Sequence, residues 1–117
     1  MSAGGAILLI DDEEVVRLVA RQLLEAIGHT VEACADPAAG VAAFAAAPTR
    51  FAAVIIDYEM PGMRGPECLA RLRAIDPGVR AILCTGHAGA DHPGFQAVLV
   101  KPFRLAALRE AIALACA

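Results

Sequence analysis

The chain has 117 residues, 10 Lys and Arg against 13 Asp and Glu, a net charge of −3 and 58 % hydrophobic residues, which fits one globular domain and excludes the disordered class. Its 27 alanines stand beside 4 Phe, 1 Tyr and no Trp, so the expected core is built from Val, Ile, Leu and Ala rather than from large rings. The acidic balance, without any basic run, argues against direct nucleic-acid binding.

The first apolar run, residues 6–10 (AILLI), reads as a fully buried strand and runs straight into Asp11, Asp12, Glu13 and Glu14. It is too short for a membrane span and lacks the basic segment of a signal peptide. No later apolar stretch reaches membrane length without Pro, Gly or charge, so a cytoplasmic chain without membrane insertion is expected. Residues 13–27 place Val15, Val16, Val19, Leu23, Leu24 and Ile27 at helical spacing, and Gly28 supplies the stop. A short second strand follows at 30–34. Residues 37–46 form an Ala-rich helix with Asp36 as its cap and Pro37 at its first position.

Residues 53–57 (AVIID) read as a third strand, apolar on both faces as a central parallel strand must be when helices cover both sides. A Pro- and Gly-rich turn leads to a third helix at 66–75, stopped by Asp76-Pro77. The fourth strand is expected at 79–84, the fifth at 96–100 and a last helix at 105–115. Strands alternating with helices imply one parallel sheet with right-handed crossovers, in a single domain spanning 1–117 after a leader at 1–5. The four cysteines, Cys34, Cys68, Cys84 and Cys116, lack C-x-x-C or zinc spacing and read as reduced, mostly buried thiols.

In an open parallel sheet the site lies beyond the carboxyl ends of the strands. Strand one ends in Asp11 and Asp12, strand three in Asp57, strand four in Thr85 and strand five in Lys101. Taken alone, Asp12 fits a helix cap, Thr85 an ordinary strand end and Lys101 a solvated cation. Together they bring three carboxylates, a hydroxyl and an ammonium to one edge. Crowded carboxylates need a cation, and an oxygen-only set suits Mg²⁺. A carboxylate is also a nucleophile toward phosphorus, and Mg²⁺, a Lys and a hydroxyl are what a transferring phosphoryl group requires.

The set IDD, IIDYEMPGMRG, ILCTG and VLVKPF, in that order and each at a strand end, resembles the receiver domain of bacterial two-component response regulators and hybrid histidine kinases over essentially the whole chain. The resemblance implies a flavodoxin-like strand order of 2-1-3-4-5. It implies Asp57 as phosphoacceptor, with Asp11, Asp12, Asp57 and the Glu59 backbone carbonyl around Mg²⁺. Thr85 and the Gly86 amide are then donors to the phosphoryl group. Lys101 matches the family lysine, with a cis bond before Pro102, and Met60, Pro61, Gly62 and Gly65 match the turn after the acceptor. The implied partner is a sensor histidine kinase or histidine phosphotransfer protein. Oligomeric state is expected to be a monomer or weak dimer, and the only catalysis that of the domain's own phosphorylation and dephosphorylation.

Two features depart from the family. Only ten residues separate Thr85 from Gln96, with three Gly and one Pro, so the helix there is expected to be shortened or missing. Val98 stands where the family usually carries Tyr or Phe, with Phe95 the nearest ring. Glu59 and His87 are expected to flank the site entrance and to be able to pair, and His29 and His92 to be surface residues without a role. Two rival readings are a small haloacid-dehalogenase-like phosphatase and a non-phosphorylated pseudo-receiver that only binds a protein. The first wants a second Asp where Glu59 stands, and the second loses ground because no acceptor, metal or Lys position is missing.

Overall fold

The computed structural model describes residues 5–87 and 92–117. Most of the expected leader, and the middle of the segment expected to carry a shortened helix, lie outside the described residues. The elements in chain order are β1 (Ala6–Ile10), α1 (Glu14–Ala26), β2 (Val31–Cys34), α2 (Pro37–Ala46), a 3₁₀ turn (Pro48–Arg50), β3 (Phe51–Asp57), α3 (Gly65–Ile75), β4 (Ala81–Thr85), β5 (Ala97–Val100) and α4 (Leu105–Cys116). The five strands are parallel in the order β2-β1-β3-β4-β5, the expected flavodoxin-like sheet.

Most boundaries fall within a residue of expectation, and two differ for local reasons. β3 starts two residues early, because Phe51 is already in register with Ala6 of β1. β4 starts at Ala81 rather than 79 because the preceding residues are held in a turn: Asp76 accepts from the Gly78 and Val79 amides at 2.9 and 3.1 Å. The α2 cap is as expected, with Asp36 Oδ1 accepting from the Ala39 amide at 2.8 Å and Pro37 in the first turn. Gly28, at φ 98°, takes the left-handed conformation that ends α1.

Alternation along the central strands sorts the core into two layers. Ile7, Leu9, Ile55, Ile82 and Leu99 pack with Leu24 of α1 and Leu108 and Ile112 of α4. Leu8, Ile10, Val54 and Ile56 face the other way, onto Phe44 of α2 and Leu69 and Leu72 of α3. The core is aliphatic as expected, except that Phe44 is fully buried and stacks on Phe51 with ring centres 6.1 Å apart.

The helical spacing of α1 contains a choice that the sequence leaves open. The stripe Val16, Ala20, Leu23, Leu24 and Ile27 turns inward, whereas Val15 (72 % exposed), Leu18 (56 %) and Val19 (45 %) face solvent. Both stripes obey a 3.6-residue period; the inner one carries Ala20, whose small side chain lets the helix approach the sheet. The cysteines also split. Cys68 and Cys84 are buried, Cys34 is half-buried and Cys116 is exposed, and all four are free thiols.

Candidate phosphoryl-transfer site

Strand register sets the site. Ile10 lies beside Ile56, so the next residues, Asp11 and Asp57, leave adjacent strands together at the point where the strand order reverses. Thr85 lies beside Val100, which places Lys101 one residue beyond it on the same edge, with the Lys101 amide donating to the Thr85 carbonyl at 2.7 Å. The Lys101–Pro102 peptide is cis, as the resemblance implies. At the mouth of α3, a Cβ on Gly65 would come within 3.0 Å of the Asp57 carbonyl oxygen. Only glycine lets the helix start so close to the acceptor strand.

The structure brings Asp11, Asp12, Asp57, Thr85 and Lys101 together. One carboxylate oxygen from each of Asp11, Asp12 and Asp57 falls within a 4.8 Å cluster. Asp11, Asp57 and Thr85 are buried and Asp12 is exposed. Asp12 therefore does not cap α1: the residue before the helix is Glu13, which makes no side-chain cap bond. Instead Asp11 Oδ1 accepts from the Glu13 amide at 2.9 Å, and the Asp11 carbonyl accepts from Arg17 Nη1 at 2.9 Å.

Lys101 Nζ lies 3.0 Å from Asp57 Oδ1 and 3.2 Å from Asp11 Oδ2. Its third carboxylate, 2.9 Å away, belongs to Glu13. Sequence reasoning passed over Glu13 as the start of a helix; the clue was arithmetic, since an ammonium has three donors and the next acid after the aspartate pair begins the adjoining helix.

Burial pushes the Asp57 carboxyl up to about 6, a rise opposed by the Lys101 hydrogen bond and reinforced by the Asp11 charge. For Lys101 burial works the other way, toward the neutral amine. Its hydrogen bonds to Glu13 and Asp57, with the charges of Asp11 and Asp57, outweigh that effect and hold it protonated well beyond its ordinary value. A buried carboxylate that resists ionisation, beside two more acids and one lysine, is a site short of positive charge. The donor set is all oxygen, which fits a hard divalent cation.

Thr85 Oγ1 accepts from the His87 amide at 3.2 Å, a bond that fixes the oxygen and leaves its proton free to be donated. Glu59 and His87 are both exposed, and no hydrogen bond or ion pair joins them here. The Glu59 carboxylate is no part of the acidic cluster, which leaves its backbone carbonyl as the group the resemblance implies. His92 is not the bare surface residue expected, since its ring packs against Tyr58 with centres 5.7 Å apart.

Residues 7–113 match the response regulator receiver domain family, which takes in all but the first residue of β1, all but the last turn of α4 and the whole acidic edge. The chain belongs to that family. The receiver domain is 39 % identical over 88 residues to the C4-dicarboxylate transport transcriptional regulatory protein DctD of Rhizobium meliloti, a match covering 74 % of this chain and 18 % of that protein. It thus spans less than a fifth of that curated relative. Among solved structures it is similar to a response regulator receiver domain protein from Clostridium thermocellum, with a TM-score of 0.89, 30 % identity and coverage of 96 % of this chain and 94 % of that one. It is also similar to the receiver domain of the sensor histidine kinase PA1611 from Pseudomonas aeruginosa, whose active-site cleft coordinates a magnesium ion (TM-score 0.86, 26 % identity, coverage 97 % and 98 %). Receiver domains are phosphoacceptor modules of two-component signalling, and the acidic edge described above fits a Mg²⁺ site.

Proposed function

We propose that Asp57 takes a phosphoryl group from the phosphohistidine of a sensor histidine kinase or histidine phosphotransfer protein, with Mg²⁺ held by Asp11, Asp12, Asp57 and the Glu59 backbone carbonyl. The observation that carries this reading is Lys101 Nζ bridging two buried carboxylates, Asp57 at 3.0 Å and Asp11 at 3.2 Å, at the carboxyl edge of the sheet. A carboxylate oxygen of Asp57 forms the new bond to phosphorus as the bond from phosphorus to the imidazole nitrogen breaks, and the electron pair of that bond returns to the imidazole. Bound Mg²⁺ supplies the positive charge that offsets the crowded acids and the transferring phosphoryl oxygens.

The remaining steps belong to the chain's own groups. Asp11 accepts from the Glu13 amide and forms an ion pair with Lys101, and so holds the ammonium beside the acceptor. Lys101, the Thr85 hydroxyl and the Gly86 amide donate to the phosphoryl oxygens after transfer. Burial raises the Asp57 carboxyl to about 6 in the absence of a divalent cation, and added positive charge would favour the nucleophilic carboxylate form.

The partner is a protein, not a small ester. Val15, Leu18 and Val19 stand exposed on α1, and Val15, Val16, Val19, Pro102 and Phe103 line a hollow of about 380 Å³ that runs up to Glu13 and Lys101. A domain delivering phosphohistidine to Asp57 has to cover that rim. No described helix is long and apolar enough to cross a membrane, which supports a cytoplasmic role. The domain acts as a monomer or weak dimer, without direct nucleic-acid contact, and performs no turnover beyond its own phosphorylation and dephosphorylation. Intact-mass analysis after incubation with acetyl phosphate and Mg²⁺ tests the reading. The parent is expected to gain one phosphoryl group and Asp57→Asn none; equal labelling of the two would overturn it.

A further inference from the structure

Lys101 Nζ donates to Asp57 Oδ1 at 3.0 Å and to Glu13 Oε1 at 2.9 Å, and Asp11 Oδ2 stands within ion-pair distance at 3.2 Å. A phosphoryl oxygen on Asp57 has to compete with these three carboxylates for the ammonium. The three differ sharply in what their release costs. The side chains of Asp11 and Asp57 are 1 % and 5 % exposed, so freeing either one strands an ionised oxygen away from water. Glu13 is 59 % exposed, and water takes over its hydrogen bond at once.

Glu13 is also placed to feel the site's charge. Its amide is tied to Asp11 Oδ1 at 2.9 Å, so its side chain departs from the turn that ends β1 and reaches across the mouth to Lys101. In the resting site three carboxylates, those of Asp11, Asp57 and Glu13, pair with one ammonium, and a fourth, that of Asp12, is clustered with Asp11 and Asp57. Phosphorylation replaces the single charge of Asp57 by roughly two. Of the acids present, Glu13 is the one bonded to Lys101 that can swing into solvent.

We propose that Glu13 is a positioning residue: it engages one donor of Lys101 in the resting domain, yields it to the phosphoryl group, and through its charge slows phosphoryl uptake. This rests on the reading of Asp57 as phosphoacceptor. Glu13 acts through Lys101 and touches no reacting atom. Replacing it with Gln keeps size and hydrogen-bonding capacity but removes the charge. The resting site then competes less for the ammonium, and the anionic donor meets less repulsion.

The test uses the full chain as parent, Glu13→Gln and Glu13→Asp. Initial rates of labelling by acetyl phosphate with Mg²⁺ are read by intact mass, and beryllofluoride affinity by calorimetry, at low and high salt. Glu13→Gln is expected to label about threefold faster and to bind beryllofluoride about threefold more tightly, the scale of an exposed ion pair. Glu13→Asp, which keeps the charge, stays near the parent, and the gap between parent and Gln narrows as salt rises. Equal or slower labelling of Glu13→Gln while the parent labels normally would overturn the role of Glu13 alone. Glu13→Asp matching Glu13→Gln would assign the effect to side-chain length and overturn the charge argument. A parent that takes up no phosphoryl group would instead remove the reading of Asp57 on which this one stands.

Discussion

The centre of the sheet and its β5 edge are built on opposite terms. Every residue of β1 and β4 is buried, and the polar groups that end the central strands are buried too, each held by a named partner. In β5 the pattern alternates: Ala97 and Leu99 pack onto the α4 side, while Val98 and Val100 remain 42 % and 38 % exposed on the other. A strand covered on both faces holds its terminal side chain to a narrow geometry, as a transfer site needs. A strand covered on one face has fewer contacts to lose when it shifts, which is where a signal is more cheaply read out. The two features expected to depart from the family, the short stretch between β4 and β5 and Val98, both fall in the second region.

The sharpest way to break this contrast is to remove the cation that the buried half depends on. Lys101→Ala leaves Asp11 and Asp57 buried without it, and is expected to destabilise the metal-free domain at pH 7 by about 3 kcal/mol, the scale for stranding a buried charge. Urea unfolding measures it. Saturating Mg²⁺ should recover part of the loss, and a variant as stable as the parent would show that Lys101 is not what holds the acids.

Two neighbours in β5 sharpen the same comparison. Leu99→Ala removes a buried side chain 2 % exposed and is expected to cost about 2–4 kcal/mol, whereas Val98→Ala, one residue away on the open face, should cost less than about 1 kcal/mol. Comparable losses for the two would mean that the outer face of β5 is covered in solution.

A smaller effect comes from the acceptor itself. The Asp57 carboxyl is raised from 3.8 to about 6 on folding, so its contribution to stability is fully present below pH 4 and is lost as pH rises through 6. Asp57→Asn removes that dependence. Without metal it should therefore be more stable than the parent at pH 7, by on the order of 2 kcal/mol, and the advantage should vanish near pH 4. Thermal melts across pH 4–8 read the difference, and an advantage that grows toward low pH would contradict the burial argument.

Much of this architecture was legible in the residues because the signals were redundant. Five apolar runs separated by helical spacing leave few topologies for a parallel sheet, and the acids ending runs one and three, with Thr85 and Lys101 ending the fourth and fifth, have to meet at one edge. What stayed hidden depends on rotation and distance in three dimensions. In α1 two stripes share the helical period, so spacing alone could not tell that Val15 and Val19 face water and Ala20 faces the core. Glu13 looked like an ordinary first-turn acid, because its bond to Lys101 spans 88 residues of sequence. The proximity of His92 to Tyr58 likewise required the fold to bring two loops together.

The claim that most of the account hangs on is that Asp57, and no other acid of the cluster, carries the phosphoryl group. After incubation with acetyl phosphate and Mg²⁺, borohydride reduction of the acyl phosphate followed by peptide mass spectrometry locates the modified residue. Conversion of the aspartate to homoserine is expected at position 57 alone, and none when Mg²⁺ is withheld. Modification at position 11 or 12, or none at all under conditions where the domain is folded, would contradict it.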